Sequence, residues 1–409
     1  MAALFCSAIL AFAQAQVPAA APLTLQQVVE LARTKNPTLM AAQQNLLSVK
    51  AQEIQAGVRA NPTLTGVGTN VTNSATNPAT PYSYSVQLSR LFERGQKRRW
   101  RLDTARSTTD QTRDQYALQE QQTILAAKQA FTSMLLAKAA LKLAQDNLKD
   151  YRHELDINKA RYDAGDIGKL DYERLDLQLA QFETDESNAE AALSQASYQL
   201  QTLLGGDHPT DSFDIVGDIV PPVVAGPLTE LEQKGLAARP DYKAAQDAIR
   251  VADAEVKLAY ANGTTDPTLE GEYDRVGTVN SAGFNISIPL RIFDRNQGNK
   301  ETAKYLAQAS RFSEIAARNE VYSDVDQAWV GYTTSKVLSD RYNGHYLNEA
   351  KDVLSIAQFA YEHGGIALLD YLNAIQDDRT TTLNALDAYA QTWMAIHQLS
   401  FATATEVAP

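Results

Sequence analysis

Five histidines, His153, His208, His345, His363 and His397, are the first residues to test for metal or acid–base chemistry. Their scatter lacks the short paired spacings of a zinc site. No nucleophile elbow and no glycine-rich phosphate loop accompanies them. The one cysteine, Cys6, lies at the extreme start, so the rest of the chain has neither disulfide nor thiol chemistry. What recurs is a different pattern: Tyr162-x-x-Gly165-x-Ile167-x-x-Leu170-Asp171-Tyr172 returns as Tyr361-x-x-Gly364-x-Ile366-x-x-Leu369-Asp370-Tyr371. Its glycines suit a sharp chain reversal, because glycine accepts positive φ. Its aspartates fall where a returning helix begins, and a carboxylate there complements the helix dipole. The chemistry on offer is charge and shape, with no catalytic residue, no metal site and no cofactor.

That motif belongs to a longer duplication. Asn36-Pro37 with Ala41-Ala42-Gln43 recurs as Arg239-Pro240 with Ala244-Ala245-Gln246. Asn61-Pro62-Thr63-Leu64 recurs as Asp266-Pro267-Thr268-Leu269, and Phe92-Glu93-Arg94-Gly95-Gln96 as Phe293-Asp294-Arg295-Asn296-Gln297. Four matches in one order, at a nearly constant offset, divide the chain into repeats over 16–212 and 213–409.

Each repeat changes period in the same sequence. A short helix precedes a longer one begun by Pro37 or Pro240 and ended by Asn61-Pro62 or Asp266-Pro267. Alternation follows: Tyr82, Tyr84, Val86 and Leu88 face one way in the first repeat, and Ala282, Phe284, Ile286, Ile288 and Leu290 in the second. With partners at Thr63 to Val71 and Thr268 to Val276, these predict β-hairpins over about 62–92 and 267–292, with strands long enough to cross a bilayer at a tilt. From Gln96 to Ala164 there is no glycine or proline, and Met134, Leu141, Leu148, Leu155 and Tyr162 repeat every seventh residue. This predicts a long coiled-coil helix. The second copy steps through Ile315, Tyr322 and Trp329, then Leu347, Leu354 and Tyr361. Both long helices are expected to turn, near 165 and 364, into returning helices, the first marked by Leu175, Phe182, Ala189, Ala196 and Leu203.

Residues 1–15 are small and apolar and carry Ala-x-Ala sites at Ala11-Phe12-Ala13 and Ala13-Gln14-Ala15, which predicts a secretory signal peptide. No other stretch approaches the roughly 18 apolar residues of a membrane helix, so entry into a membrane would be by strands. The net charge of −12 argues against nucleic acid. The basic run Lys97-Arg98-Arg99 with Arg101 reads either as a solvated helix start or as a flank beside a membrane surface.

In hydrocarbon a sheet must close into a barrel, and four strands are too few. The chain is therefore expected to oligomerise. With the duplication, the Gln55-Ala56-Gly57-x-x-x-Asn61-Pro62 pattern, the Gln96-Lys97-Arg98-Arg99 run and the two Tyr-x-x-Gly turns, the sequence resembles the TolC-like outer-membrane efflux proteins. The segments around Asn61-Pro62 and Phe92 to Arg99 are most similar to the heavy-metal, CzcC-type branch. The resemblance implies a mainly α fold with β-strands: a homotrimer whose coiled-coil hairpins form a helical tunnel and whose strands form a twelve-stranded barrel. It implies outer-membrane lipid, a periplasmic adaptor and an inner-membrane RND-type pump as partners, and export of heavy-metal cations or of drugs and other small molecules. By the same resemblance Asp171, Asp370, Tyr361 and Tyr162 belong to a periplasmic gate. Gly165, Ile167, Gly364, Gly365 and Ile366 belong to the tip that meets the adaptor.

Plainer roles stay open beside these. Asp171 and Asp370 serve equally as first-turn helix acids, the two tyrosines as coiled-coil core, and His363 as a solvated loop residue or a contact for a passing metal ion. A periplasmic coiled-coil adaptor is the rival from another class, and outer-membrane fractionation separates it from a channel.

Overall fold

The computed structural model describes residues 22–69, 82–224 and 226–408; the expected signal peptide and the loop of the first hairpin lie outside them. The elements run α1 (Leu25–Lys35), α2 (Pro37–Gly57), β1 (Thr63–Thr69), β2 (Ser83–Leu91), α3 (Lys97–Ala164) and α4 (Lys169–Leu203). Then come α5 (Leu228–Ala238), α6 (Pro240–Asn262), β3 (Thr268–Val276), β4 (Val279–Ser287) and α7 (Gln297–Arg341). A π turn at Tyr342–Tyr346 leads into α8 (Leu347–Glu362) and α9 (Leu368–Thr403). The order α-α-β-β-α-α thus occurs twice, with α7, the π turn and α8 together standing in the second half where α3 stands in the first.

Local chemistry sets several boundaries. Asn36 accepts a hydrogen bond from the Leu39 N–H (3.0 Å) and Pro37 opens α2, so a donor is capped where proline lacks one. The second hairpin turns through Gly277-Thr278 alone, with Gly277 at φ 57°. A two-residue turn with positive φ matches the strand twist. β4 therefore begins before Ala282 and ends at Ser287, short of the alternation that the sequence carries on to Leu290.

By contact the chain divides into two compact units, and each draws on both sequence repeats. In the first, Val28 and Ala32 of α1, Ala127, Phe131, Met134 and Leu135 of α3, Leu200 of α4 and Ile215 form one core. Leu148, Tyr151, Leu175, Phe182, Tyr361, Leu368 and Tyr371 form another. Against the expectation that no stretch beyond the N-terminus is apolar enough, α3 holds a window that by length and composition alone could cross a membrane. Ala127, Phe131, Met134 and Leu135 of α3 face the first of these cores.

In the second unit Leu231, Val325, Ala328, Tyr332, Ile396, Leu399 and Ala402 make the core. A Cβ on Gly235 would sit 3.2 Å from Ala402 O and Val325 Cγ2, so glycine lets α5 approach closely there. The seam of α7 lies one position from the expected heptad line: Ile315 and Tyr322 are 41% and 39% exposed, whereas Val321 and Val325 are fully buried. Large aromatic residues dominated the sequence pattern, while compact β-branched and alanine residues do the packing. The step from Trp329 to Leu347 is also not a multiple of seven, and the π turn, which widens one helical turn, lies inside that step.

This second unit also holds the sheet, antiparallel in the order β1-β2-β3-β4. Thr63 pairs with Ser89, Ser83 with Val276 and Thr268 with Ser287. Below it, two motifs matched by the duplication meet. Asp266 accepts from the Arg94 N–H (2.8 Å) and from Lys97 Nζ (2.5 Å), and Lys97 also donates to Thr264 O (2.8 Å). Burial by itself would raise the Asp266 carboxyl, but these donors outweigh it and hold it below its ordinary value.

Candidate functional site: the paired helix turns and the polar face of the sheet

The two Tyr-x-x-Gly motifs build the same turn. After α3 the Gly165 N–H donates to Tyr162 O (3.0 Å) and the Asp166 N–H to Arg161 O (2.8 Å), with Gly165 at φ 86°. After α8 the Gly364 N–H donates to Tyr361 O (3.1 Å) and the Gly365 N–H to Ala360 O (2.7 Å), with Gly364 at φ 72°. Each is a Schellman termination, in which a left-handed residue after the helix satisfies its last carbonyls. Both turns are exposed, while Ile167 and Ile366 are half-buried and Ile366 packs against the nearby core.

The returning helices start with the recurrent acids. Asp171 lies in the first turn of α4, half-buried, and Asp370 in the first turn of α9, exposed. The following tyrosines stack back on the preceding ones: Tyr162 on Tyr172 at 5.2 Å, and Tyr361 on Tyr371 at 5.0 Å, both nearly parallel. The spacing of the motif is thereby explained, since it sets one tyrosine at each end of the reversal.

The two turns also engage each other. The Tyr361 hydroxyl donates to Asn158 Oδ1 (3.0 Å), and the Arg161 guanidinium lies 5.4 Å from the Tyr361 ring centre. Burial raises the Tyr361 hydroxyl above its usual range; Arg161 opposes this and Asp171 adds to it. Nearby, Gln358 Nε2 donates to Glu154 Oε1 (3.1 Å), and Tyr151, stacked on Phe182, donates to Leu175 O (2.9 Å). Glu154 is raised above the ordinary carboxylate range by burial first and Glu362 second. A cavity of about 320 Å³ adjoins it, lined also by His153 and Asp378. His363 packs on its own helix, with Nδ1 2.8 Å from Phe359 O and the rings 4.1 Å apart.

The repeat pattern of the sequence does not single out Asn158, Arg161, Glu154 or Gln358. Asn158 carried a signal: it continues the Ala137, Ala144, Tyr151 heptad line, and it is 1% exposed. A polar residue on a coiled-coil seam commonly fixes register.

A second feature belongs to the sheet. Leu64, Tyr84, Val86, Leu88, Leu269, Tyr273, Phe284 and Ile286 are exposed and register on one face. The opposite face carries Thr65, Ser83, Ser85, Gln87 and Ser89, together with three carboxylates on β3: Glu270, Glu272 and Asp274. Gln87 Nε2 donates to Glu272 Oε1 (2.7 Å). On β2 and β3 the polar face is the less accessible one. The Glu-x-Glu-x-Asp alternation of β3 stands in the sequence, where the stronger apolar alternation of β4 overshadows it. An apolar face exposed to the surroundings, backed by a polar face, suits a strand with lipid on one side and water on the other.

Comparison with known proteins adds the following. Residues 28–206 match the family described as "Outer membrane efflux protein". The chain is 27% identical over 379 residues to the cobalt-zinc-cadmium resistance protein CzcC of Cupriavidus metallidurans, spanning 92% of this chain and 89% of that one. It is 24% identical over 407 residues to the pyoverdine export outer membrane protein OpmQ of Pseudomonas putida, spanning 92% and 84%. The cation efflux system protein CusC of Escherichia coli K12 is 24% identical over 290 residues, 68% of this chain and 62% of CusC. A crystal structure of CusC matches the fold with a TM-score of 0.78 at 19% identity, covering 93% of this chain and 91% of that one.

Proposed function

We propose that the chain, whose residues 28–206 match the outer membrane efflux protein family, is the trimeric exit duct of a heavy-metal efflux machine. At the coarser level it is an outer-membrane efflux channel with the TolC-like fold, extending into the periplasm, and not an enzyme. The adaptor alternative raised by the coiled coils gives way to that family.

The observation that carries the finer reading is the sheet. Its apolar and polar faces are separated strand by strand, and within one chain β1 and β4 are the outer strands. Four strands close no barrel, whereas three chains would supply twelve and enclose a passage. Water would then meet Gln87, Glu270, Glu272 and Asp274. Cargo reaches the passage from an inner-membrane RND-type pump through a periplasmic adaptor. The channel is passive and needs no cofactor.

Within this reading Asp171, Asp370, Tyr361 and Tyr162 form the periplasmic gate. The Tyr361 to Asn158 hydrogen bond supports it, because it ties one turn to the other. Gly165, Ile167, Gly364, Gly365 and Ile366 form the docking tip, and the exposure of the turns supports that role. Heavy-metal cations are favoured as cargo by the likeness to CzcC, whose name specifies cobalt, zinc and cadmium. Small organic molecules are the second class, favoured by the likeness to OpmQ, whose name specifies pyoverdine.

Deleting the gene and scoring sensitivity to cobalt, zinc, cadmium and a set of organic dyes tests the cargo. Sensitivity to the metals alone is expected, and sensitivity to the dyes alone would transfer the assignment to the second class. Crosslinking in detergent tests the assembly: trimers are expected, and a stable water-soluble monomer would overturn it.

A further inference from the structure

We propose that a basic pocket where β2 gives way to α3 binds the phosphate of an anionic phospholipid, an inference that rests on the sheet lying in a membrane. The pocket, of about 340 Å³, is lined by Arg59, Arg90, Phe92, Glu93, Lys97 and Arg98 among others. Two of its charges are already satisfied. Lys97 pairs with Asp266 at 2.5 Å, and Glu93 receives the Arg101 guanidinium. Arg59, Arg90 and Arg98 remain, and none has a carboxylate within 4 Å among the described residues. Arg98 Nε donates to Gly57 O, which fixes the guanidinium and leaves its two outer nitrogens for a ligand. The Arg90 guanidinium lies 5.2 Å from the Phe92 ring centre, and the planar fork of arginine suits phosphate.

Position identifies the source of the phosphate. Arg90 lies on the same face of β2 as the exposed Tyr84, Val86 and Leu88, and it is where that apolar row ends in charge. Leu91 and Phe92 beside it are exposed too, as are Ile288, Leu290, Ile292 and Phe293 beyond β4. A ligand at such a boundary meets apolar surface on one side and guanidinium on the other. A phospholipid fits both requirements, with its acyl chains against the strands and its phosphate in the pocket. An excess of guanidinium favours an anionic headgroup over a zwitterionic one, because a headgroup amine would find no unpaired carboxylate there. This gives the basic run after β2 a part that channel function alone does not.

The test is native mass spectrometry of the detergent-purified protein titrated separately with phosphatidylglycerol, phosphatidylethanolamine and inorganic phosphate. Wild type is expected to retain phosphatidylglycerol, and Arg59→Gln with Arg90→Gln to bind it about tenfold more weakly, as loss of charge-assisted bonds implies. Arg311→Gln on α7 should bind as wild type, and Arg90→Lys should lose less than Arg90→Gln. Equal retention by wild type and the double variant overturns the site. Displacement of the lipid by millimolar inorganic phosphate overturns the lipid source, and equal affinity for phosphatidylethanolamine overturns the charge argument. Planar-bilayer conductance of the same wild-type sample is scored apart: absence of a pore refutes the channel reading, whereas a conducting protein without lipid preference refutes only the pocket.

Discussion

Tyr361 has two holds on its surroundings, a ring stacked on Tyr371 and a hydroxyl bonded to Asn158, and the two can be separated chemically. Tyr361→Phe keeps the stack and removes the hydrogen bond, which is worth about 1 kcal/mol net, with a further cost for leaving Asn158 buried without that partner. The variant should therefore fold and assemble, yet its resting state should open more often in single-channel recordings. Unchanged open probability would make Tyr361 a packing residue only. The sequence pointed to Tyr361 because it recurs in a motif with a chain reversal. It did not point to Asn158 or Arg161, since neither is matched in the second copy: Ala357 and Ala360 stand in the corresponding places. Duplication exposes what the copies share, and this latch is built from what they do not.

At the scale of elements, the turns were the most legible feature, because a Tyr-x-x-Gly termination followed by an acid in a first helical turn depends on local chemistry alone. Gly364 at φ 72° should tolerate alanine poorly: Gly364→Ala is expected to cost about 1–2 kcal/mol at that turn. Limited proteolysis near the turn should accelerate, while Gly331→Ala, where a Cβ would meet nothing within 4 Å, should not be affected. The seam of α7 was less legible, because it depends on which face finds a neighbour. The elements around Glu154 also predict a response to pH. Burial and Glu362 raise the folded-state value of Glu154 above its unfolded value, and burial raises Asp378 likewise. The stabilisation from the protonated forms is thus fully present below the ordinary carboxylate value and is lost as pH rises through the raised folded values. Hydrogen exchange over 148–162 and 354–375, corrected for intrinsic rates, should show more protection at pH 5 than at pH 7.5. Glu154→Gln should reduce that difference; a difference of the opposite sign in wild type would contradict the burial argument.

For the whole molecule the decisive quantity is where charge meets the passage, and two places compete. The gate reading gives the aspartates at the turns, Asp171 and Asp370, while the sheet gives Glu270, Glu272 and Asp274 on one face of β3. The repeat pattern singled out the first set and passed over the second. Copying marks residues that both repeats need, whereas the facing residues of β1, Thr63, Thr65, Val67 and Thr69, carry no charge. In the trimer proposed above, β3 would supply nine carboxylates to the barrel and the turns six to the tip. Fixed charge biases a passage in proportion to its density and within about one Debye length, roughly 10 Å at 0.1 M salt. Closely spaced carboxylates on alternate residues of one strand meet that condition over an extended stretch, so the barrel should contribute to cation selectivity even when the tip is open. Glu270→Gln, Glu272→Gln and Asp274→Asn together should shift the reversal potential under a potassium chloride gradient towards zero. The shift should shrink as the salt is raised to 1 M, where the Debye length falls to about 3 Å. Asp171→Asn with Asp370→Asn, measured alongside, should chiefly weaken block by divalent cations, since a narrow ring binds ions more closely than a wide barrel wall. If the triple variant keeps the wild-type reversal potential at low salt, the polar face of the sheet does not line the conducting path.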